Sequence, residues 1–130
     1  MTHRLSIRVY YEDTDMAGIV YHANYLRFIE RGRSEMVREM GLDQTRMKLE
    51  DGVVFVVRRI EADYLGAAML DDALDVVSKI AEVSPVRWVF HQEVHRHGKA
   101  LFRARVEIVC MTTGGRLVRL PAKLRRLSER

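Results

Sequence analysis

The run Asn24–Gly41, NYLRFIERGRSEMVREMG, decides the fold. Tyr25, Phe28, Ile29, Gly32, Met36 and Met40 recur at helical spacing and share one face. Arg27, Glu30, Arg31, Arg38 and Glu39 cover the other sides. Asn24 is a residue type that caps helix starts, and Gly41 one that ends helices. The spacing predicts one long helix of about 16 residues.

The sequence on both sides of this run reads as strand. Leu5, Ile7 and Val9 alternate with Ser6 and Arg8, which predicts a strand running into Tyr10 and Tyr11. After Gly52 comes the apolar run Val53–Val57, followed by Arg58, Arg59 and Ile60. Leu74, Val76 and Ile80 alternate with Asp75 and Lys79, and Val86, Trp88, Phe90 and Val94 with Arg87, His91, Glu93 and His95. Phe102, Ala104, Val106, Ile108 and Cys110 alternate with Arg103, Arg105 and Glu107. Arg96-His97-Gly98-Lys99 suits a tight hairpin. Thr113-Gly114-Gly115 turns the chain into Leu117–Leu120, and Pro121 opens a short helix carrying Leu124 and Leu127. The order is strand, loop, long helix, then four or five antiparallel strands. That is an α+β architecture in which a curved sheet wraps one helix. A single helix covers one face only, so the open edge and the bare face predict an oligomer.

Length and composition bound what remains. At 130 residues the chain makes one domain, spanning 1–130, with enough core to fold without metal or disulfide. Its 48% hydrophobic and 31% charged residues exclude a disordered chain. No apolar run approaches the ~18–20 residues of a membrane span. The opening stretch MTHRLSIRVYYEDTD has no apolar core of a secretory signal. A single cysteine, Cys110, on the apolar face of its strand, cannot form an internal disulfide and reads as an inert core thiol; the expected compartment is the reducing cytoplasm. The net charge of +4 is concentrated late, in Arg116, Arg119, Lys123, Arg125, Arg126 and Arg130 against Glu129. Such a field suits a phosphate-bearing partner. No nucleic-acid-binding signature accompanies it, so no nucleic acid is expected. His91, Glu93, His95 and His97 share strand parity opposite the apolar face; a solvated polar face explains them, and no metal is expected.

The reactive groups gather in the loop before the helix, Tyr11-Glu12-Asp13-Thr14-Asp15-Met16-Ala17-Gly18-Ile19-Val20-Tyr21-His22-Ala23. Asp15 suits a general base or carboxylate nucleophile. Backbone N–H groups from Gly18 onward approach a helix N-terminus, where donors and dipole together favour a developing oxyanion. His22 supplies an imidazole and Tyr11 a hydroxyl able to orient Asp15. The set suits attack on an activated acyl carbon such as a thioester. The pattern D-x-D-x-x-G lacks the later oxygen ligands of a calcium loop.

The block YYEDTDMAGIVYHANYLRFIERGRSEMV resembles the 4-hydroxybenzoyl-CoA thioesterase family of the hotdog fold. Within that family it is similar to the acyl-CoA thioesterase branch associated with the Tol–Pal system. Asp63-Tyr64, Leu70-Asp71-Asp72 and the strand pattern extend the likeness over most of the chain. The resemblance implies a catalytic aspartate at Asp15, a backbone oxyanion donor at His22 and a matching tyrosine at Tyr11. It implies substrate contacts at Gly18, Tyr25 and Val57, and CoA phosphates met by Arg58 and Arg59 across a subunit interface. The implied substrate is an acyl-CoA, short-chain or aromatic, or an acyl group on acyl carrier protein. CoA belongs to the substrate, and no metal or redox cofactor is implied. The implied assembly is a homodimer with a continuous sheet, often paired into a homotetramer. Met16-Ala17 stands where that branch often carries smaller residues, which bears on the shape of the acyl pocket. The rival reading is a non-catalytic acyl-binding or scaffold protein that docks acyl carrier protein.

Overall fold

The computed structural model describes residues 2–126. Strand β1 (Thr2–Arg8) leads through a 3-10 turn (Tyr11–Asp13) and an irregular loop to helix α1 (Asn24–Glu39). A short turn of helix, α2 (Gln44–Arg46), runs into a π turn (Met47–Asp51). Strands β2 (Val53–Tyr64), β3 (Ala73–Val83), β4 (Trp88–Arg96), β5 (Lys99–Thr112) and β6 (Leu117–Val118) follow, and α3 (Ala122–Arg125) closes the described chain. All six strands form one antiparallel sheet in the order β1-β3-β4-β5-β2, with β6 paired to β5. The expected sheet wrapped around one helix, the hotdog arrangement, is the fold of this chain.

The apolar stripe of α1 explains its place. Tyr25, Phe28, Ile29, Gly32, Met36 and Val37 are buried against the concave face of the sheet. That face presents Leu74 and Val76 from β3, Trp88, Phe90 and Val94 from β4, and Phe102, Ala104, Val106, Ile108 and Cys110 from β5. Burial raises the Cys110 thiol pKa, as expected of an inert core residue. Register shifts between Val57 and Arg59, Ile80 and Glu82, and Val94 and His95 mark bulges, which bend strands and help the sheet curl. Gly41, at φ +86°, ends α1: its N–H reaches the Arg38 carbonyl and the Leu42 N–H reaches that of Val37.

The structure departs from the sequence reading in particular places. The first strand stops at Arg8, because Tyr10 and Tyr11 enter the 3-10 turn. Residues 44–51 form helical turns rather than a plain connection, capped by Asp43, which accepts from the Arg46 N–H at 3.1 Å. β2 continues past Ile60 to Tyr64, and β4 starts at Trp88, leaving Val86 exposed in the preceding turn. Asn24 does not cap α1; its side chain is drawn to Asp13. Leu124 is buried as expected, and Leu127 lies outside the described residues.

Gly32 sets how deeply α1 sits in the trough. A Cβ there would lie 2.6 Å from Val76 Cγ1 and 3.1 Å from Ser78 Oγ, both on β3. Alanine would gain ~1 kcal/mol of helix propensity. Overpacking costs about 1–3 kcal/mol and outweighs that gain. Gly32→Ala therefore lowers stability in urea unfolding; an unchanged or raised midpoint would show that the helix can lift off β3 without loss.

Candidate active site

The loop before α1 is organised by Asp13, which the sequence reading left unassigned. Its carboxylate is buried and accepts from the Tyr10 N–H at 2.8 Å and from Asn24 Nδ2 at 2.7 Å. Its carbonyl accepts from the Tyr21 N–H at 2.9 Å. One residue thereby ties the end of β1 to the start of α1, and the segment between them has to loop outward.

Asp15 lies in that outward loop and is exposed. One carboxylate oxygen accepts from the Ala17 N–H at 2.9 Å; the other has no hydrogen bond among the described residues. The Asp15 N–H donates to the Ile19 carbonyl at 2.9 Å, and the Gly18 N–H to the Asp15 carbonyl at 3.0 Å. Gly18 turns the chain at φ +79°, a conformation that favours glycine. A bridge between Thr14 and Val20 closes the loop. The carboxyl group is thus held at a rigid turn with one oxygen facing outward.

The start of α1 supplies the complementary donors. The His22 and Ala23 N–H groups donate to no acceptor among the described residues, whereas Tyr21 and Asn24 N–H groups are both taken. The His22 carbonyl accepts from the Tyr64 hydroxyl at 2.7 Å. Carbonyl and N–H across one trans peptide are coplanar and opposed, so fixing the His22 oxygen also fixes the direction of the Ala23 N–H. The positive end of the helix dipole adds to these donors. Uncommitted main-chain N–H groups at a helix start are donors of the kind that stabilise an oxyanion in acyl transfer.

The other expected site residues divide by position. The Tyr11 hydroxyl, expected to orient Asp15, has no partner among the described residues; the residue is 83% exposed and its carbonyl, not its ring, braces Thr14. Tyr25, expected to touch substrate, has its side chain buried. Its ring stacks on Phe102 and its hydroxyl accepts from the Ala68 N–H at 3.0 Å, with burial raising its pKa. It supports the loop at 65–72, which in turn accepts the Val20 N–H at Ala68. In that same loop the Asp72 carboxyl is held below the ordinary range, first by the Met69 N–H and then by Arg96. Met16 is wholly exposed at the loop tip.

Val57 lines a cavity of about 170 Å³ between α1 and the sheet. Phe55, Trp88, Phe90 and Ile108 make its apolar walls, and Glu30 and Arg33 from α1 add charge. Arg58, the bulge residue, reaches Glu107 at 3.8 Å, and Arg59 pairs with Glu61 at 2.8 Å; both are exposed on the edge strand. Tyr64 and Val57 sit in opposite halves of β2, roughly 20 Å apart at ~3.3 Å per residue. Within one protomer the Asp15 loop and the cavity therefore lie at separate ends of the groove along β2. In the sequence Tyr64 stood only as part of the Asp63-Tyr64 likeness, Asp13 as a loop residue without a role and Arg33 not at all; the partners of Tyr64 and Arg33 lie 42 and 59 positions away.

The fold is that of the hotdog thioesterases. The chain matches the Thioesterase-like superfamily over residues 9–127 and belongs to it. It is 42% identical over 108 residues to the acyl-CoA thioesterase YbgC of Haemophilus influenzae, covering 83% of this chain and 79% of that protein. It is 41% identical over 109 residues to the acyl-CoA thioester hydrolase YbgC of Escherichia coli O157:H7, covering 83% and 81%. A probable thioesterase from Bartonella henselae superposes with a TM-score of 0.89 at 36% identity, over 93% of this chain and 100% of that one. A 4-hydroxybenzoyl-CoA thioesterase superposes equally well, with a TM-score of 0.89, but at 24% identity over 98% of each chain it speaks to the fold alone.

The two aspartates should separate cleanly in a stability measurement. Asp13→Ala strands a buried Asn24 amide and the Tyr10 N–H and should cost about 1–3 kcal/mol. Asp15→Asn, at an exposed position, should stay within ~0.5 kcal/mol of the parent. Equal effects of the two in urea titration would contradict the division between an anchor and a reactive group.

Proposed function

We propose that this protein hydrolyses acyl-CoA thioesters, with Asp15 as the reacting carboxylate and main-chain N–H groups at the head of α1 as the oxyanion hole. The observation that carries the reading is the pair of uncommitted N–H groups at His22 and Ala23, beside a loop that holds one Asp15 oxygen free. The relatives described as acyl-CoA thioesterases support it. Asp15 either removes a proton from an attacking water or attacks the carbonyl itself to give an anhydride that water opens. On either route the carbonyl oxygen takes up negative charge against the N–H groups. The C–S bond then breaks, the sulfur leaves as the thiol with a proton, and the acid is released. No metal or cofactor takes part in this scheme.

The acyl group belongs in the cavity beside Val57. A cavity on the order of 150 Å³ admits benzene, so the space here suits a short-chain or single-ring acyl group. Because loop and cavity lie apart in one protomer, the working unit is a homodimer. β2 is an edge strand whose Val57, Ile60 and Tyr64 side chains are exposed, without the lysine or proline that usually protects such an edge. Antiparallel pairing of two β2 edges about a two-fold axis brings the loop of one subunit toward the cavity of its partner. It also turns Arg58 and Arg59 toward the seam, where guanidinium groups suit CoA phosphates. Two such dimers make a homotetramer, and acyl carrier protein is a second acyl donor compatible with this groove. A buried lone thiol suits the cytoplasm. Among the described residues no helix is long and apolar enough to cross a membrane.

A thiol-release assay over acyl-CoAs of graded size tests the chemistry. Asp15→Asn should lower kcat by about 10²–10⁴-fold with the melting temperature unchanged. Turnover within a few-fold of the parent would remove Asp15 from both routes. Ile60→Lys tests the assembly: it should shift the molecular mass in light scattering toward the monomer and abolish turnover together. A fully active monomer would refute the shared site.

A further inference from the structure

A chain of buried polar groups crosses the core between the sheet and α1 and ends at the acyl cavity. Ser78 on β3 and Gln92 on β4 are both fully buried. Gln92 Nε2 donates to the Ile29 carbonyl at 2.8 Å and to Ser78 Oγ at 2.7 Å. A carbonyl only accepts, so the amide nitrogen has to face Ile29 and the amide oxygen has to face away from it. That oxygen accepts from Arg33 Nη1 at 2.9 Å. The network therefore has a direction, and it aims the Arg33 guanidinium.

Arg33 is left short of acceptors. A guanidinium carries five N–H donors, and this one makes a single hydrogen bond among the described residues. No carboxylate stands within ion-pair distance of it there. Glu30, whose charge it feels, accepts from Ser34 Oγ at 3.0 Å instead. Burial pulls Arg33 below the usual arginine range, yet a guanidinium stays charged at any working pH. The side chain stands on the wall of the same cavity as Phe55, Val57, Trp88 and Phe90. Arg33 is half-buried on this open cavity, so water answers its free donors until a ligand displaces that water, and a ligand that fills the cavity has to offer an acceptor in exchange.

We infer that Arg33 is a specificity-determining residue, selecting acyl groups that carry a neutral oxygen acceptor, a hydroxyl or carbonyl, at the end remote from the thioester. This rests on the reading of the cavity as the acyl site. Glu30 on the same wall disfavours a carboxylate there, because two like charges would share one small space. A plain hydrocarbon acyl group fills the cavity but leaves the donors unanswered. Gln92 is the positioning residue that holds the guanidinium on the wall.

The test compares matched acyl-CoA pairs, benzoyl against 4-hydroxybenzoyl and butyryl against 4-hydroxybutyryl, in the full-length enzyme. Wild type should favour the oxygen-bearing member of at least one pair by about tenfold or more in kcat/KM, mainly through KM. Arg33→Met, close in volume and uncharged, should bring that ratio to near one. If Arg33→Met does not fold, Arg33→Lys, which keeps a cation without the planar fork, should lower the ratio at least threefold. A wild-type ratio near one in both pairs overturns the inference. So does a variant that slows both members equally, since a purely structural arginine would do that. Calorimetric titration of Asp15→Asn with the same pairs reads the preference without turnover. If wild type hydrolyses nothing and this variant still binds the oxygen-bearing member tighter, the thioesterase reading fails and the inference stands. Equal affinities there overturn it.

Discussion

The seating of α1 in the trough of the sheet is the contact on which everything else depends. Its buried face is not purely apolar: Gly32 lets the backbone come down onto Val76 and Ser78, and Gln92 reaches up to the Ile29 carbonyl. A bulkier residue would hold the helix off the sheet, and an apolar residue at Gln92 would leave it free to slide. Depth and register of the helix are set separately, one by steric closeness and one by a directional hydrogen bond. The head of α1, with its uncommitted N–H groups, is thereby fixed relative to β2 and Tyr64.

The site follows from a division of labour between two neighbouring aspartates. Asp13 is buried and fully engaged, and it holds the loop closed against the helix start. Asp15, two residues on, points outward because the loop pinned by Asp13 has nowhere else to send it. A buried acid that is fully hydrogen-bonded rigidifies, whereas an exposed acid with an idle oxygen can react. The donors on the other side obey the same logic. Tyr64 holds the peptide oxygen of His22 and so aims an N–H, without itself having to meet the substrate.

The edge strand links this site to assembly. β2 carries exposed apolar side chains along an open hydrogen-bonding edge, and it also carries the cavity wall at Val57 and the arginine pair. On the proposed reading, two-fold pairing of β2 edges is the simplest operation that joins the loop of one subunit to the cavity of another.

Much of this was legible in the chain itself. Helical spacing from Tyr25 to Met40, period-two alternation in four strands and His97-Gly98 in the hairpin turn are local patterns, and local sterics and burial suffice to produce them. The block from Tyr10 to Val37 carried the family resemblance and brought Asp15 and His22 into view. What the chain could not disclose were relations between residues distant in sequence. Asn24 looked like a cap and is instead the partner of Asp13. Tyr25 looked like a substrate contact and is a buried prop for Ala68. Gln92 and Arg33 showed no sign of belonging together, since 59 positions separate them. Periodicity reports which face of an element is apolar, and that much the sequence alone determined. Which polar group meets which across the core is decided only when the sheet curls around the helix, because a hydrogen bond depends on distance and angle in space.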